Sequence, residues 1–135
     1  LNAAPAREIG PALMGQLDVV IMNRVEAQFY QAFFSNPAYQ RLTKIITKGA
    51  YGLDLILPDG ACQSFPAFEV PSLSSHGAGD VFVGALAAQR LAQIPWESAL
   101  RYAQAAAALH VATPRHQRSE ITPSDIKALI QNSAL

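Results

Sequence analysis

The chain has 135 residues, of which 50% are hydrophobic, so it is long enough to bury a core and its length favours one domain. Its ten basic and ten acidic residues balance, which argues against binding to nucleic acid or an anionic membrane surface. The single cysteine excludes an internal disulfide, and we find neither a membrane anchor nor a signal peptide, so we expect a cytoplasmic protein.

The first clear pattern is a short apolar run at residues 18–22, Asp-Val-Val-Ile-Met, which is rich in β-branched residues. Such a run is typical of a strand buried on both faces of a parallel sheet. Asn23 follows at its carboxyl end, where open α/β sheets place their ligands. Asn23 and Glu26 also have the spacing of a capping box, so we predict that a helix begins here.

Aromatic residues recur at helical spacing over residues 27–34, which predicts a helix that packs on the core. Residues 44–47 form a second buried-strand candidate. The glycine-punctuated residues 48–52 that follow read, by themselves, as a turn between strands. Residues 53–57 and 61–65 flank the sequence Pro-Asp-Gly and predict a β-hairpin.

A glycine turn that opens a helix is the most informative stretch of the chain. Gly77, Ala78 and Gly79 let the backbone approach a ligand closely, and the following helix points free N–H groups and its positive dipole end at an anion. Asp80 is either an ordinary first-turn carboxylate or a base for a hydroxyl that attacks phosphorus. Without a ligand, the same residues are a capped helix after a flexible loop.

The helices after the turn have different apolar patterns. Residues 80–91 are apolar on nearly every side, so we expect this helix to be buried between layers. An alanine-rich helix at residues 96–111 should permit close helix packing, with His110 as a packing residue. The last helix, residues 123–131, has Thr122 as its cap.

A polar, basic loop is predicted at residues 113–119. Arg115, His116 or Arg118 could touch a phosphate or a ribose there, and a solvated basic loop is the alternative interpretation. His76 directly precedes the glycine turn, where an imidazole could meet a phosphate. The spacing of the histidines and of the cysteine does not suggest a zinc site.

Residues 76–85, His-Gly-Ala-Gly-Asp-Val-Phe-Val-Gly-Ala, resemble the second signature of the ribokinase-like (PfkB) carbohydrate kinases, whose usual form is Asp-Thr-Thr/x-Gly-Ala-Gly-Asp-x-Phe-x-Gly-Ala. In that family the Gly-Ala-Gly backbone forms an anion hole and the final Asp is the catalytic base. The resemblance implies these roles for Gly77, Ala78, Gly79 and Asp80. Ser74 stands where the family usually has an Asp, which in potassium-dependent members helps to hold a monovalent cation, and its replacement puts such a site in doubt.

Other segments carry the same resemblance. Asn23 and Glu26 match the family's Asn-x-x-Glu motif, which implies an indirect role in holding hydrated Mg²⁺. Residues 47–52 resemble its Thr-x-Gly-x-x-Gly element, which lies along the nucleotide. The residues thus implied in ATP contact are Thr47, Lys48, Gly49 and Gly52, together with His76, Arg115 and His116 beside the glycine turn and in the basic loop.

We therefore expect an α/β layered sandwich with a largely parallel sheet, a ribokinase-like fold without its N-terminal half and lid. Residues 1–135 would be the C-terminal nucleotide-binding portion of such a kinase domain, since the chain begins at Leu1 and the resemblance starts with its first residues. The implied reaction is Mg²⁺-assisted transfer of the ATP γ-phosphate to a sugar or related hydroxyl, with little activity expected from this chain alone. The alternative is a noncatalytic relic that binds nucleotide or self-associates as a homo-oligomer.

Overall fold

The computed structural model describes residues 1–133 and divides the chain into two compact units, Leu1–Pro66 and Ala67–Leu135. The strands all lie in the first unit: β1 (Val19–Asn23), β2 (Thr43–Thr47), β3 (Leu53–Ile56) and β4 (Cys62–Phe65). The helices are α1 (Pro11–Met14), α2 (Arg24–Phe29), α3 (Gln31–Phe34), α4 (Ala78–Leu91), α5 (Trp96–Ala112) and α6 (Pro123–Asn132). Short 3₁₀ helices cover Pro37–Tyr39, Gly49–Tyr51 and Arg115–Glu120.

The four strands form one sheet in the order β1-β2-β3-β4. Strands β1 and β2 are parallel, and an isolated parallel bridge joins Asn2 to Ile21. The hairpin predicted around Pro-Asp-Gly is present, and β2–β3 and β3–β4 are antiparallel. The α/β class is as predicted, but the sheet described here is mixed rather than largely parallel. A tight turn reverses the chain and pairs the strands antiparallel, whereas parallel pairing needs a longer crossover.

Strand β1 is buried on both faces, as its unbroken apolar sequence predicts. Val20, Ile21 and Met22 are all buried although successive side chains point to opposite faces. Tyr30 packs on the same cluster, and its hydroxyl donates to the Arg7 carbonyl at 2.7 Å and accepts from the Arg7 N–H at 3.0 Å. This phenol therefore ties the chain before β1 to the helices after it.

The predicted aromatic helix over residues 27–34 is instead two short helices, α2 and α3, which meet at Tyr30. Tyr30 is buried, whereas Phe29 is 54% exposed. The Phe33 ring stacks on Tyr39 with centroids 4.2 Å apart, so this aromatic ring packs locally. The expectation that the whole stripe packs on the core is therefore wrong for Phe29, because the helix changes direction at Tyr30 (φ −89°, ψ 3°).

The second unit is built around α5, against which both α4 and α6 pack. Small side chains allow this close approach, and the buried alanines of α5 are Ala99, Ala103, Ala105, Ala106 and Ala108. Only Phe82 and Leu86 of α4 are buried, and Leu91 is 86% exposed. The expectation that α4 is buried all round is wrong, because it packs along one stripe on α5.

Helix α6 begins with the predicted cap. The Thr122 hydroxyl accepts from the Asp125 N–H, and the Asp125 carboxylate accepts from the Thr122 N–H at 2.8 Å. This reciprocal pair satisfies two N–H groups at the helix start. None of the helices within residues 1–133 has the length and apolarity that crossing a bilayer requires.

A polar trio ties the end of β2 to the hairpin. The Lys48 ammonium donates to the Asp54 carboxylate at 2.7 Å, and the Ser64 hydroxyl donates to the same oxygen at 2.6 Å. The hydrogen bond from Lys48, followed by that from Ser64, lowers the pKa of Asp54 below its ordinary value of 3.8. The folded chain therefore favours the charged form of this carboxyl.

We expect Asp54→Asn to lower the free energy of unfolding at neutral pH by roughly 0.5 kcal/mol, since the ion pair is partly exposed. Because the pKa of folded Asp54 is depressed, its contribution is complete above the unfolded pKa of 3.8 and is lost as the pH falls through the lower folded pKa. Thermal unfolding over a pH series should therefore show wild type and variant converging in acid. Asp18→Asn, at a carboxylate without a hydrogen-bond partner among the described residues, is the control, and a difference that widens in acid would contradict the assignment.

Candidate functional site

The glycine turn before α4 has the conformation that its sequence predicts. Gly77 is the N-cap of α4 and lies in the left-handed region with φ +81°. A Cβ built on Gly77 would lie 3.1 Å from Nε2 of His110. Glycine is therefore required here both for the backbone conformation and for the space beside His110.

The turn leaves a group of backbone N–H donors unpaired. The Ala78 N–H donates to the Ser75 carbonyl at 3.2 Å, and the Val81 N–H donates to the Gly77 carbonyl at 3.1 Å. The N–H groups of Gly77, Gly79 and Asp80 have no acceptor among the described residues. Because these donors lie at the positive end of a 14-residue helix, they can receive an anion.

Asp80 lies in the first turn of α4, directly after the donor group. It is exposed, and its carboxylate makes no hydrogen bond to another residue of the described chain. A carboxylate without a fixed partner is free to accept a proton from a bound hydroxyl. The structure thus places the predicted base and the predicted anion hole, Gly77, Ala78 and Gly79, in one turn.

The segment that enters the turn is held by two side chains, His110 in the last turn of α5 and Arg118 in the 3₁₀ helix that follows α5. Nε2 of His110 lies 2.9 Å from the His76 carbonyl oxygen. The Arg118 guanidinium donates to the carbonyls of Ser74 at 3.2 Å, His76 at 3.5 Å and Thr113 at 3.1 Å. The backbone entering the turn is therefore fixed through its carbonyl oxygens.

The contact between His110 and the backbone before Gly77 was not predicted, because the sequence favours a packing role for this residue. The signal was a lone imidazole in the last turn of an alanine-rich helix. Arg118 was one of three basic candidates in its segment. Its contact with Ser74 could not be predicted, because sequence order does not show which basic side chain turns back toward Ser74.

The basic segment itself is a 3₁₀ helix, Arg115–Glu120, where a loop was predicted. Arg115 and His116 are exposed, and their side chains make no hydrogen bond or ion pair with the rest of the described chain. His76 is exposed beside the turn. These three side chains, unlike Arg118, are thus available to solvent or to a ligand.

In the first unit, Asn23 and Glu26 form the predicted capping box. The Glu26 N–H donates to Oδ1 of Asn23, and the Asn23 N–H donates to Oε2 of Glu26, each at 2.8 Å. Glu26 is only 6% exposed. The cap uses one carboxylate oxygen, so the other can accept from a water of hydrated Mg²⁺. Within residues 1–133, no three His, Cys, Asp or Glu side chains lie together as a direct metal site.

The predicted nucleotide segment lies at the same end of the parallel strand pair. Thr47 is the β-sheet partner of Asn23, and its hydroxyl lies 3.5 Å from the Met22 carbonyl. Gly49 and Gly52 both have positive φ, at 59° and 89°, and bound a short 3₁₀ turn. The ammonium of Lys48 is paired with Asp54, so it is not a free charge. The N–H groups of Lys48 and Gly52 donate within the turn, at 2.7 and 3.0 Å.

An aromatic side chain at this turn was not predicted. Tyr51 is 76% exposed, and the Arg24 guanidinium lies over its ring, 5.6 Å from the centroid. The sequence signal for this ring was its position directly before Gly52, a residue predicted to contact the nucleotide.

Comparison with known proteins identifies the family. Residues 2–123 match the family described as pfkB family carbohydrate kinase. Ribokinase from Haemophilus influenzae is 25% identical over 98% of this chain and 47% of its own length. The 2-dehydro-3-deoxygalactonokinase of Haloferax volcanii is 33% identical over 66% of this chain and 27% of its own. The crystal structure of Thermotoga maritima ribokinase has a TM-score of 0.81 and 26% identity, covering 97% of this chain and 48% of that one.

This chain spans less than half the length of each of these relatives. The family match nevertheless covers most of the chain and includes the whole glycine motif. The resemblance predicted from residues 76–85 and the ribokinase fold are confirmed, and the chain belongs to the pfkB family of carbohydrate kinases.

Proposed function

We propose that this chain carries the phosphate-transfer portion of an ATP-dependent sugar kinase. The observation that carries the proposal is the turn at Gly77, where N–H groups without an acceptor among the described residues stand beside an exposed carboxylate at Asp80. An anion hole next to a free base suits phosphoryl transfer to a hydroxyl. Membership of a carbohydrate kinase family supports the same chemistry.

In the proposed reaction, the hydroxyl oxygen of a sugar or related substrate attacks the γ-phosphorus of ATP. A new oxygen–phosphorus bond forms, the bond from the γ-phosphorus to the β–γ bridging oxygen breaks, and ADP leaves. Asp80 accepts the proton of the attacking hydroxyl. The N–H groups of Gly77, Gly79 and Asp80 donate to phosphate oxygens, and they stabilise the transferring group without needing to reorganise.

The first unit would supply nucleotide contacts. Thr47 would present its hydroxyl, and Gly49 and Gly52 would let the backbone pass close to the nucleotide. Lys48 would contact the nucleotide through its main chain, since its ammonium is paired with Asp54. Asn23 and Glu26 would orient the water shell of Mg²⁺ through the Glu26 oxygen that the cap leaves over. Mg²⁺, when bound, neutralises phosphate charge.

Further contacts to phosphate or ribose would come from the exposed side chains His76, Arg115 and His116. We propose that residues 1–135 are the C-terminal nucleotide-binding portion of a longer kinase domain, since the chain spans less than half of each relative named above. Efficient sugar phosphorylation would then need the longer protein, because water must be excluded from the reacting phosphate.

The glycine turn predicts a specific response to substitution. We expect the chain to bind Mg-ATP and Gly77→Ala to bind it about tenfold more weakly, because a Cβ disfavours the positive φ that presents the N–H donors by roughly 1–2 kcal/mol. That Cβ would also push on His110, 3.1 Å away. Calorimetric titration measures both affinities, with thermal melting as a check of folding.

Gly84→Ala is the matched control, since Gly84 lies within α4 and its added Cβ would meet no atom within 4 Å. It should bind as the wild type does. Equal affinity of Gly77→Ala and wild type would show that the turn does not hold the nucleotide. Absence of both heat and thermal shift with the wild type would count against nucleotide binding altogether.

The assignment of Asp80 predicts separate effects on binding and turnover. In a longer form of the protein that phosphorylates a sugar, Asp80→Asn should keep Mg-ATP affinity but lose about 10²–10⁴-fold in turnover, the usual range for a general base. Coupled ADP-release kinetics measure this loss. Glu97→Gln, which removes an exposed first-turn carboxylate from α5, is the control. Turnover retained by Asp80→Asn would disprove the base assignment.

A further inference from the structure

The backbone that enters the glycine turn is held by side chains outside the family motif of residues 76–85. The His76 carbonyl oxygen faces both Nε2 of His110, at 2.9 Å, and Nη1 of Arg118, at 3.5 Å. The Ser74 carbonyl accepts from Nη2 of Arg118 at 3.2 Å. These contacts approach the turn from its carbonyl side, and the N–H groups of Gly77, Gly79 and Asp80 keep no acceptor among the described residues.

Arg118 is itself fixed in place. Its Nε donates to the carbonyl of Thr113, the C-cap residue of α5, at 3.1 Å. The N–H groups of Leu73 and Ser74 in turn donate to the Val111 carbonyl, at 2.8 and 3.4 Å. The end of α5 and the segment before Gly77 are therefore joined by backbone hydrogen bonds and by the guanidinium of Arg118. The guanidinium is planar, so its N–H donors have fixed directions.

The bond geometry of the peptide unit connects this contact to the anion hole. The His76 carbonyl and the Gly77 N–H belong to one planar peptide unit and point in opposite directions. Fixing the oxygen therefore fixes the direction of the N–H, which has no acceptor among the residues described. A donor and a cation on the oxygen also polarise the peptide, which strengthens the N–H as a donor.

The missing side chain of Gly77 is what admits His110. The Nε2 atom lies where it would be only 3.1 Å from a Cβ, so the imidazole occupies space that any other residue would need. Because the carbonyl can only accept, Nε2 must carry the proton in this contact. The tautomer or protonation state of His110 with hydrogen on Nε2 is thus the one that holds the turn.

We propose that His110 and Arg118 are positioning residues of the anion hole, which hold the peptide between His76 and Gly77 so that its N–H points at a bound phosphate. This inference rests on the proposed function, and it adds two residues that act through the backbone rather than by touching the ligand. A purely structural role, in which both side chains only stabilise the fold, is the interpretation to be separated from it.

The test uses the whole chain and Mg-ATP as the probe. His110→Leu and Arg118→Met remove the donors, and each is expected to weaken Mg-ATP binding about fivefold, the value of a typical lost hydrogen bond. His110→Gln keeps an N–H donor and is expected to restore most of the affinity. Lys127→Met, which removes one exposed cation of α6, is the charge-matched control and should bind as the wild type does.

A second measurement works without nucleotide. The ¹⁵N and ¹H chemical shifts of the Gly77 amide should move in His110→Leu and Arg118→Met and return toward wild type in His110→Gln. They should not move in Lys127→Met. Thermal midpoints of all variants show whether an affinity change merely follows a loss of stability.

The outcomes separate the two proposals. If the wild type binds Mg-ATP and both donor-less variants bind it equally well, the positioning role is wrong and the proposed function stands. If His110→Gln loses as much affinity and stability as His110→Leu, the role is structural only and the inference is overturned. If the wild type itself does not bind, the proposed function fails, and the positioning of an anion hole fails with it.

Discussion

The candidate site depends on one backbone conformation, the left-handed φ of +81° at Gly77. In residues with a side chain this region is costly because the Cβ approaches the following carbonyl oxygen. At Gly77 it reverses the chain into α4 and leaves the N–H groups of Gly77, Gly79 and Asp80 without an acceptor among the described residues. It also leaves room for the imidazole of His110. The absence of one methyl group at Gly77 thus permits the backbone conformation, leaves N–H donors available and admits the side chain of His110.

Helix α5 supports this turn from its last residues. Its buried alanines let α4 and α6 pack closely, and Phe68 and Ile126 complete the cluster around them. The same helix carries His110 and ends at the Thr113 carbonyl that receives Arg118. Packing of small side chains therefore determines where two polar groups meet the glycine turn, which links the core of the second unit to its proposed chemistry.

In the first unit, a few polar side chains make structural hydrogen bonds, and some of their atoms are left for a ligand in our proposal. Asn23 and Glu26 satisfy the start of α2, and one oxygen of Glu26 remains for a hydrated ion in our proposal. Lys48 instead gives its ammonium to Asp54 within the hairpin. The parallel pairing of β1 and β2 sets Asn23 opposite Thr47, so two separate motifs meet at one sheet edge. Strand direction, rather than proximity in sequence, brings them together.

By itself, the sequence determined the features that depend on neighbouring residues. These include the buried strand of Val20 to Met22, the capping box at Asn23 and the glycine turn before α4, because local sterics and hydrogen bonding decide them. The resemblance at residues 76–85 was also sufficient to predict the family. Each of these patterns spans no more than ten or so residues, within which backbone conformation and spacing are read directly.

Only the tertiary structure decided which side chains serve distant backbone groups. In the folded chain, Lys48 pairs with Asp54, and the aromatic segment is divided at Tyr30, whose hydroxyl hydrogen-bonds to the Arg7 carbonyl. Likewise, the tertiary structure brought His110 and Arg118 to the glycine turn, 34 and 42 residues from His76. Sequence spacing does not encode such contacts, because they depend on how the helices pack and on which rotamer reaches an unpaired carbonyl.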